Sequence, residues 1–327
     1  MRRRQLLRLA SGGMAALGLP ALAQQARRVR RIGFLGGESL QSNAARLAEF
    51  RAGMSELGWV DGRDYVIDAR YTFGDAQAAA KLATELVASA PELLLVPGDQ
   101  AVVALAEKTR TIPIVFASAQ DPMSSGRVST LQRPGGNVTG LTTLTREISA
   151  KRLQLLKEAF PRVTHVVFMI DSSNVGSALA EKDVVEAAPR LGIRLTTFRL
   201  QQAADIEQAF KRGAAIGAQA YLITSGGLIG AHSQSIADRA RQLKVPVMGA
   251  GIGLVEAGGL MSYAASALVS FRRAAIYVDK IFKGANPGDL PIEQPTKFEF
   301  VVNMKTAKAM GITLPQSILL QVDRVIE

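Results

Sequence analysis

From residue 31 onward the chain alternates short apolar runs with longer stretches of helical spacing. Ile32-Gly33-Phe34-Leu35 reads as a buried strand stopped by Gly36-Gly37, and Asn43 to Leu57 places Leu47, Phe50, Met54 and Leu57 on one helical face. Gly58-Trp59-Val60-Asp61-Gly62 is a turn. Tyr65 to Tyr71 alternates as a strand, Ala76 to Ala88 is helical, and Leu93-Leu94-Leu95-Val96 is an apolar strand ended by Pro97-Gly98. A helix through Val102, Val103 and Ala106 precedes the strand Ile112-Pro113-Ile114-Val115-Phe116. Strands that are apolar throughout, with helices between them, predict a parallel sheet covered on both faces.

The same grammar restarts after Gly135-Gly136-Asn137. His165 to Ile170, Ile193 to Phe198, Ala220 to Ile223 and Val245 to Met248 read as strands separated by helical stretches. Leu94-Leu95-Val96-Pro97-Gly98 followed by Thr111-Ile112-Pro113-Ile114-Val115 parallels Leu222-Ile223-Thr224-Ser225-Gly226 followed by Lys244-Val245-Pro246-Val247. The pattern predicts two similarly built α/β lobes, with Pro113 and Pro246 near strand starts, where a missing N–H is tolerated.

In an open parallel sheet the ligand lies beyond the carboxyl ends of the strands, so those ends are the candidate site. In the first half they are Gly36-Gly37-Glu38-Ser39, Gly98-Asp99-Gln100 and Ser118-Ala119-Gln120-Asp121. In the second they are Asp171-Ser172-Ser173-Asn174, Ser225-Gly226-Gly227 and Gly249-Ala250-Gly251. Each turn leads into a helix whose first N–H groups are unpaired, a setting that favours an anionic group by about 0.3–2 kcal/mol. The candidate contacts are Gly37, Glu38, Gly98, Gln100, Ser118, Gln120, Asp121, Ser172, Asn174, Gly226, Gly227, Gly249 and Tyr263. Each has an alternative role. Ser172, Ser173 and Asn174 suit helix caps, Asp121 before Pro122 suits a turn, Gly98, Gly226 and Gly227 suit tight turns, and Glu38 suits an exposed loop. Tyr263, after Leu260-Met261, fits a hinge, a core or a stacking position equally.

Composition removes other chemistries. The 327 residues contain no Cys and two His, which excludes disulfides, a thiolate nucleophile and iron–sulfur clusters and argues against a structural zinc site. No dinucleotide fingerprint, phosphate-binding Gly-rich loop or Gly-x-Ser-x-Gly elbow occurs, and His165 and His232 stand apart from other metal-ligand types. The expectation is a non-enzyme without cofactor or metal.

The formal net charge is +11, from 39 Lys+Arg against 28 Asp+Glu. Its location matters more than its size. Met1-Arg2-Arg3-Arg4-Gln5-Leu6-Leu7-Arg8, a mildly apolar run from Leu9 to Leu19, and Pro20-Ala21-Leu22-Ala23 read as the three regions of a signal peptide over residues 1–23, cleaved near Ala23. Arg3-Arg4-Gln5-Leu6-Leu7-Arg8 resembles the twin-arginine export signal, with Leu6 where Phe is usual. Residues 24–31, with Arg27, Arg28, Arg30 and Arg31, read as a basic leader. Those eight arginines taken from +11 leave +3 for the body. Nucleic acid is therefore not the expected partner, and without a Cys after the cleavage site no lipoprotein anchor can form.

The stretch Phe271 to Phe298 (FRRAAIYVDKIFKGANPGDLPIEQPTKF) closely resembles the tail of a family of bacterial ABC-transporter substrate-binding proteins, the tryptophan/tyrosine type. Gly258-Gly259-Leu260-Met261-Ser262-Tyr263, Asp121-Pro122 and Pro134-Gly135-Gly136-Asn137-Val138-Thr139-Gly140 match it too, and the resemblance covers about residues 30–327. It implies the type I periplasmic-binding-protein fold: two Rossmann-like lobes with parallel sheets covered by helices, joined by three hinge crossings near Gly140 to Thr143, Tyr263 to Ser266 and Gln294 to Phe298. The implied lobes are residues 32–140 plus 264–294 and 141–263 plus 295–327. The implied function is capture of a small polar or amphipathic solute, an amino acid or related carboxylate, by a periplasmic monomer that delivers it to a membrane permease. A ligand-sensing receptor and an exported enzyme are the alternatives on this fold. Asp121 falls on the family's Asp-Pro and would meet a ligand ammonium. Gly98-Asp99-Gln100 departs from the small hydroxyl residues usual in members thought to bind aromatic amino acids, which argues against tryptophan or tyrosine.

Overall fold

The computed structural model describes residues 28–327 except Ser39, Leu144 and Val175, so the signal-peptide reading of residues 1–23 lies outside the described residues. The first half runs β1 (Arg30–Gly36), α1 (Leu40–Glu56), β2 (Tyr65–Tyr71), α2 (Ala76–Ala88), β3 (Leu93–Val96), α3 (Asp99–Ala106), β4 (Ile114–Ala119) and β5 (Val138–Thr142). These strands form one parallel sheet in the order β2-β1-β3-β4-β5.

The second half continues through α4 (Thr145–Ala159), β6 (His165–Asp171), α5 (Ser177–Ala187), β7 (Arg194–Leu200), α6 (Ala203–Ala215), β8 (Ala220–Ile223), α7 (Gly227–Ala231) and α8 (Ser233–Leu243). Then come β9 (Val247–Gly249), α9 (Ile252–Glu256), β10 (Met261–Ala265), α10 (Ala267–Phe282), β11 (Phe298–Asn303), α11 (Met304–Met310), α12 (Gln316–Leu319) and β12 (Arg324–Ile326). Seven of these strands form the second sheet, in the order β12-β11-β10-β9-β8-β6-β7. The chain passes between the two sheets after β5, again after β10, and a third time before β11.

Apolar runs form strands here because both faces of each sheet are covered. On β1, Phe34 packs with Phe50 and Phe271 on the side of α1 and α10, while its neighbour Leu35 packs with Leu86, Leu94 and Val102 on the other. On β6, Phe168 and Ile170 join one cluster and Val167 and Met169 the opposite one. Burying each such side chain contributes about 1.5–3 kcal/mol.

Three expectations need correction. β1 starts at Arg30, so Arg30 and Arg31 belong to the sheet and not to a leader; pairing of Arg30 with Tyr65 and an ion pair to Glu92 at 2.5 Å hold Arg30 in place. Pro113 and Pro246 each stand one residue ahead of their strands. The second sheet is not wholly parallel. β10 and β11 are antiparallel, because the chain leaves β10 for the first lobe and re-enters the sheet from that same end; Ala264 and Ala265 therefore pair within the second sheet.

Candidate ligand-binding cleft

The turns at the carboxyl ends of the two sheets face each other and enclose a cavity of about 170 Å³. From the first lobe, Gly37, Glu38, Gly98, Gln100, Ser118 and Gln120 line it. From the second come Asn174, Gly226 and Gly227, and the crossing segments add Thr143, Ala265 and Ser266. The lobes meet directly: Gln120 Nε2 donates to Ser225 Oγ at 2.6 Å. Lack of side chains lets the walls approach this closely. A methyl on Gly37 would lie 3.4 Å from Gly227 Cα, one on Gly227 would lie 2.7 Å from Gln100 Oε1, and one on Gly230 would overlap the Glu38 side chain.

Each wall is braced by a buried carboxylate. Asp171, at the end of β6, accepts from Ser173 N at 3.0 Å, from Ser173 Oγ at 2.5 Å and from Leu228 N at 3.0 Å, so it holds the start of α7. Gly226 is required there, because a Cβ would overlap the Asp171 carboxylate. Asn174 donates from Nδ2 to Ser225 O at 2.9 Å and accepts from Gly176 N, joining the turns after β6 and β8. Opposite, Asp99 accepts from Gln120 N at 2.7 Å and Asp121 N at 3.1 Å. Burial pushes its carboxyl up to about 6 even though those two N–H groups favour the ionised form.

Charged groups that sequence spacing did not single out also line the cavity. Arg46 of α1 pairs with Glu38 at 2.8 Å and lies over the Phe271 ring at 5.9 Å. Arg152 of α4 is 5% exposed; its Nε donates to Tyr263 O at 2.6 Å and its Nη1 to Ser149 Oγ at 3.3 Å. No carboxylate pairs with it among the described residues. Burial lowers this guanidinium to about 9, partly opposed by Tyr263, which still leaves it charged at neutral pH. Glu299 of β11 lines the same cavity, also without a side-chain partner among the described residues. Four further atoms, Arg46 Nη1, Thr72 Oγ1, Gln100 Nε2 and Gln120 Oε1, are buried with no hydrogen-bond partner among the described residues. Each such group costs about 1–3 kcal/mol until something pairs with it.

Four candidate residues do not line the cavity. Tyr263 lies on β10 with its ring against Phe298 and Phe300, at 5.9 and 6.4 Å; strand alternation turns Ser262 and Ala264 to the cleft and Tyr263 away. Gly249 is buried inside β9, paired with Ile223, and the residues after it, Ala250 and Gly251, reach the cleft. Ser172 is exposed at a turn tip, its N–H bonded to Leu200 O at 2.9 Å. Asp121 stands at the start of a 3-10 turn, Pro122–Ser125, and its backbone N–H serves Asp99. Outside the cleft, His165 is structural, with its ring nitrogens at 2.9 Å from Thr196 Oγ1 and 2.8 Å from Arg194. Among the described residues no group of three or more His, Cys, Asp or Glu side chains is disposed for a metal ion.

Two α/β lobes, crossed three times by the chain and facing each other over a cleft, define a type I periplasmic-binding-protein fold. The chain belongs to the family of ABC transporter substrate binding proteins, whose model matches residues 34–326. It is 22% identical over 264 residues to the "Tyrosine-binding protein" of Clostridioides difficile (strain R20291), covering 80% of this chain and 75% of that protein. It superposes on the crystal structure of an ABC domain in complex with L-Trp from Streptococcus pneumonia with a TM-score of 0.83 and 25% identity, over 91% of this chain and all of that one. The 5-methylthioribose transporter solute binding protein of Thermotoga lettingae shares the fold at 13% identity and a TM-score of 0.61, covering 91% of this chain and 92% of that one. These relatives are binding proteins, not enzymes.

Proposed function

We propose that the protein is the periplasmic solute-binding component of an ABC importer, exported by the signal peptide at residues 1–23. It captures an amino acid or related small carboxylate between its lobes and delivers it, as a closed monomer, to a membrane permease. The observation that carries the ligand class is Arg152, a buried guanidinium at the crossing end of the cleft that pairs with no carboxylate among the described residues. A desolvated cation is costly unless paired, and a ligand carboxylate is the group that pairs with it while adding bonds from the turns of both lobes. The names of the tyrosine-binding and L-Trp-complexed relatives support an amino acid. No described helix is long and apolar enough to cross a membrane.

Each lobe supplies half of the contacts, so ligand completes its set only when the lobes are closed and shifts the population toward that form. A micromolar ligand supplies about −8.2 kcal/mol in total, enough to bias a hinge whose open form is favoured by a few kcal/mol. The contacts we assign are the turns of Gly37, Gly98, Gln100, Ser118 and Gln120 on one side and Asn174, Gly226 and Gly227 on the other. The test is a thermal-shift screen of protein stripped of ligand, using amino acids, small carboxylates, nucleosides and neutral sugars. Carboxylate-bearing solutes should raise the melting temperature and emerge unchanged. A shift confined to uncharged solutes, or chemical conversion of the solute, overturns the reading.

A further inference from the structure

We propose that Arg152 and Glu299 together bind the head group of a polar, non-aromatic α-amino acid, Arg152 taking its carboxylate and Glu299 its ammonium. This rests on the carboxylate-binding reading of the cleft and narrows it. Two opposite charges line one cavity without forming an ion pair with each other. A plain carboxylic acid would satisfy Arg152 and leave Glu299 facing a second anion in the same cavity. A simple amine would do the reverse. Only a zwitterion matches both. The two groups also gather at one place in the fold: Arg152 Nε bonds the carbonyl of Tyr263 at 2.6 Å, and Glu299 lies opposite the next residue, Ala264, in the β10–β11 pair. Ala264 and Ala265 line the cavity beside them and leave room for a ligand.

The rest of the cavity sets what the head group carries. Among the described residues, no Phe, Tyr or Trp lines it, so a ligand ring would have nothing to stack on. The four buried atoms without partners, Arg46 Nη1, Thr72 Oγ1, Gln100 Nε2 and Gln120 Oε1, offer both donors and acceptors. An aromatic or branched apolar side chain would cover them unpaired. A short carboxamide or hydroxyl side chain would pair with them.

Titration calorimetry on the full mature chain, stripped of ligand by unfolding and refolding, tests this with L-asparagine, L-glutamine, L-serine and L-tryptophan. Succinamic and glutaramic acids, the first two without their amino group, complete the set. At least one polar amino acid should bind, its deaminated counterpart roughly 10- to 100-fold more weakly, and L-tryptophan more weakly still. Glu299 has no side-chain partner among the described residues to lose, so Glu299→Gln should leave the unliganded melting temperature unchanged. It should weaken the amino acid by a similar factor and leave the deaminated acid within about twofold. That selective loss is a signature a merely structural residue would not give. Unchanged amino-acid affinity in Glu299→Gln overturns the assignment, as does tighter binding of L-tryptophan than of any polar amino acid. Equal affinity for the amino and deaminated forms removes the ammonium site and leaves the carboxylate site standing. No binding by any of these carboxylates removes both.

Discussion

The start of α7 in the second lobe lies against the turn after β1 of the first, and Gly230 is where the fit is tightest. A methyl built on Gly230 lies 2.6 Å from Glu38 Cδ and 3.1 Å from Glu38 Cβ, and closer still to Cγ. Glu38 cannot simply swing aside, because its carboxylate is held by Arg46 at 2.8 Å. Overpacking of this size costs about 1–3 kcal/mol, and the cost exists only when the lobes are together. In the separated lobes the same change replaces a glycine inside a helix, which stabilises by about 0.5–1 kcal/mol. Gly230→Ala should therefore move two quantities in opposite directions. The unliganded melting temperature should stay level or rise slightly, while ligand affinity falls roughly 5- to 150-fold at 1.4 kcal/mol per tenfold. Titration calorimetry with a solute that stabilises the wild type reads the affinity, and differential scanning calorimetry reads the fold. Truncation to Ala at Glu38 removes Cγ and Cδ, so in the Glu38→Ala background the Gly230→Ala change should cost little further affinity. Wild-type affinity in Gly230→Ala, or a double variant no better than additive, would refute the idea that this contact forms on closure.

Two further predictions concern buried carboxylates. For Asp99, burial raises the folded-state value from 3.8 to about 6, so the fold prefers the protonated form; that contribution is full below about pH 4 and is lost as pH rises through 6. The displacement amounts to about 3 kcal/mol. The stability of the wild type relative to Asp99→Asn should thus decline by up to that amount between pH 4 and 7 in urea titrations, and a difference that does not vary with pH would contradict the burial argument. For Asp279, which is 7% exposed, the carboxylate accepts from Trp59 Nε1 at 2.9 Å and pairs with Lys283 at 2.8 Å. Asp279→Ala leaves the indole N–H without its acceptor and should lower stability by about 1–3 kcal/mol. Trp59 is the only tryptophan, so its fluorescence follows the first lobe selectively, and an unmoved midpoint would show the bond to be energetically silent.

The strands were legible in the sequence for one reason: each is buried on both sides, so consecutive residues such as Phe34 and Leu35 are both apolar although they enter different clusters. Turns at strand ends were legible because an open parallel sheet puts its ligand there whatever the ligand is. What could not be read was anything fixed by a distant partner. Arg152 sits in Lys151-Arg152, within a helix that looks like an ordinary charged surface, and its burial depends on a β10 carbonyl 111 positions away. Tyr263 and Glu299 depend on the antiparallel register of β10 and β11, which are separated in sequence by the whole excursion through α10; a slip of one residue would exchange cleft and core faces. The glycines belong to both kinds. Gly226-Gly227 read as turn formers and Gly230 carried no reading, but the structure sets Gly226 against Asp171 of its own lobe and brings Gly227 and Gly230 against Gln100 and Glu38 of the other. A methyl that fits the open lobe and fails in the closed one separates those two uses, so folding and ligand capture should respond to different substitutions within the same five residues.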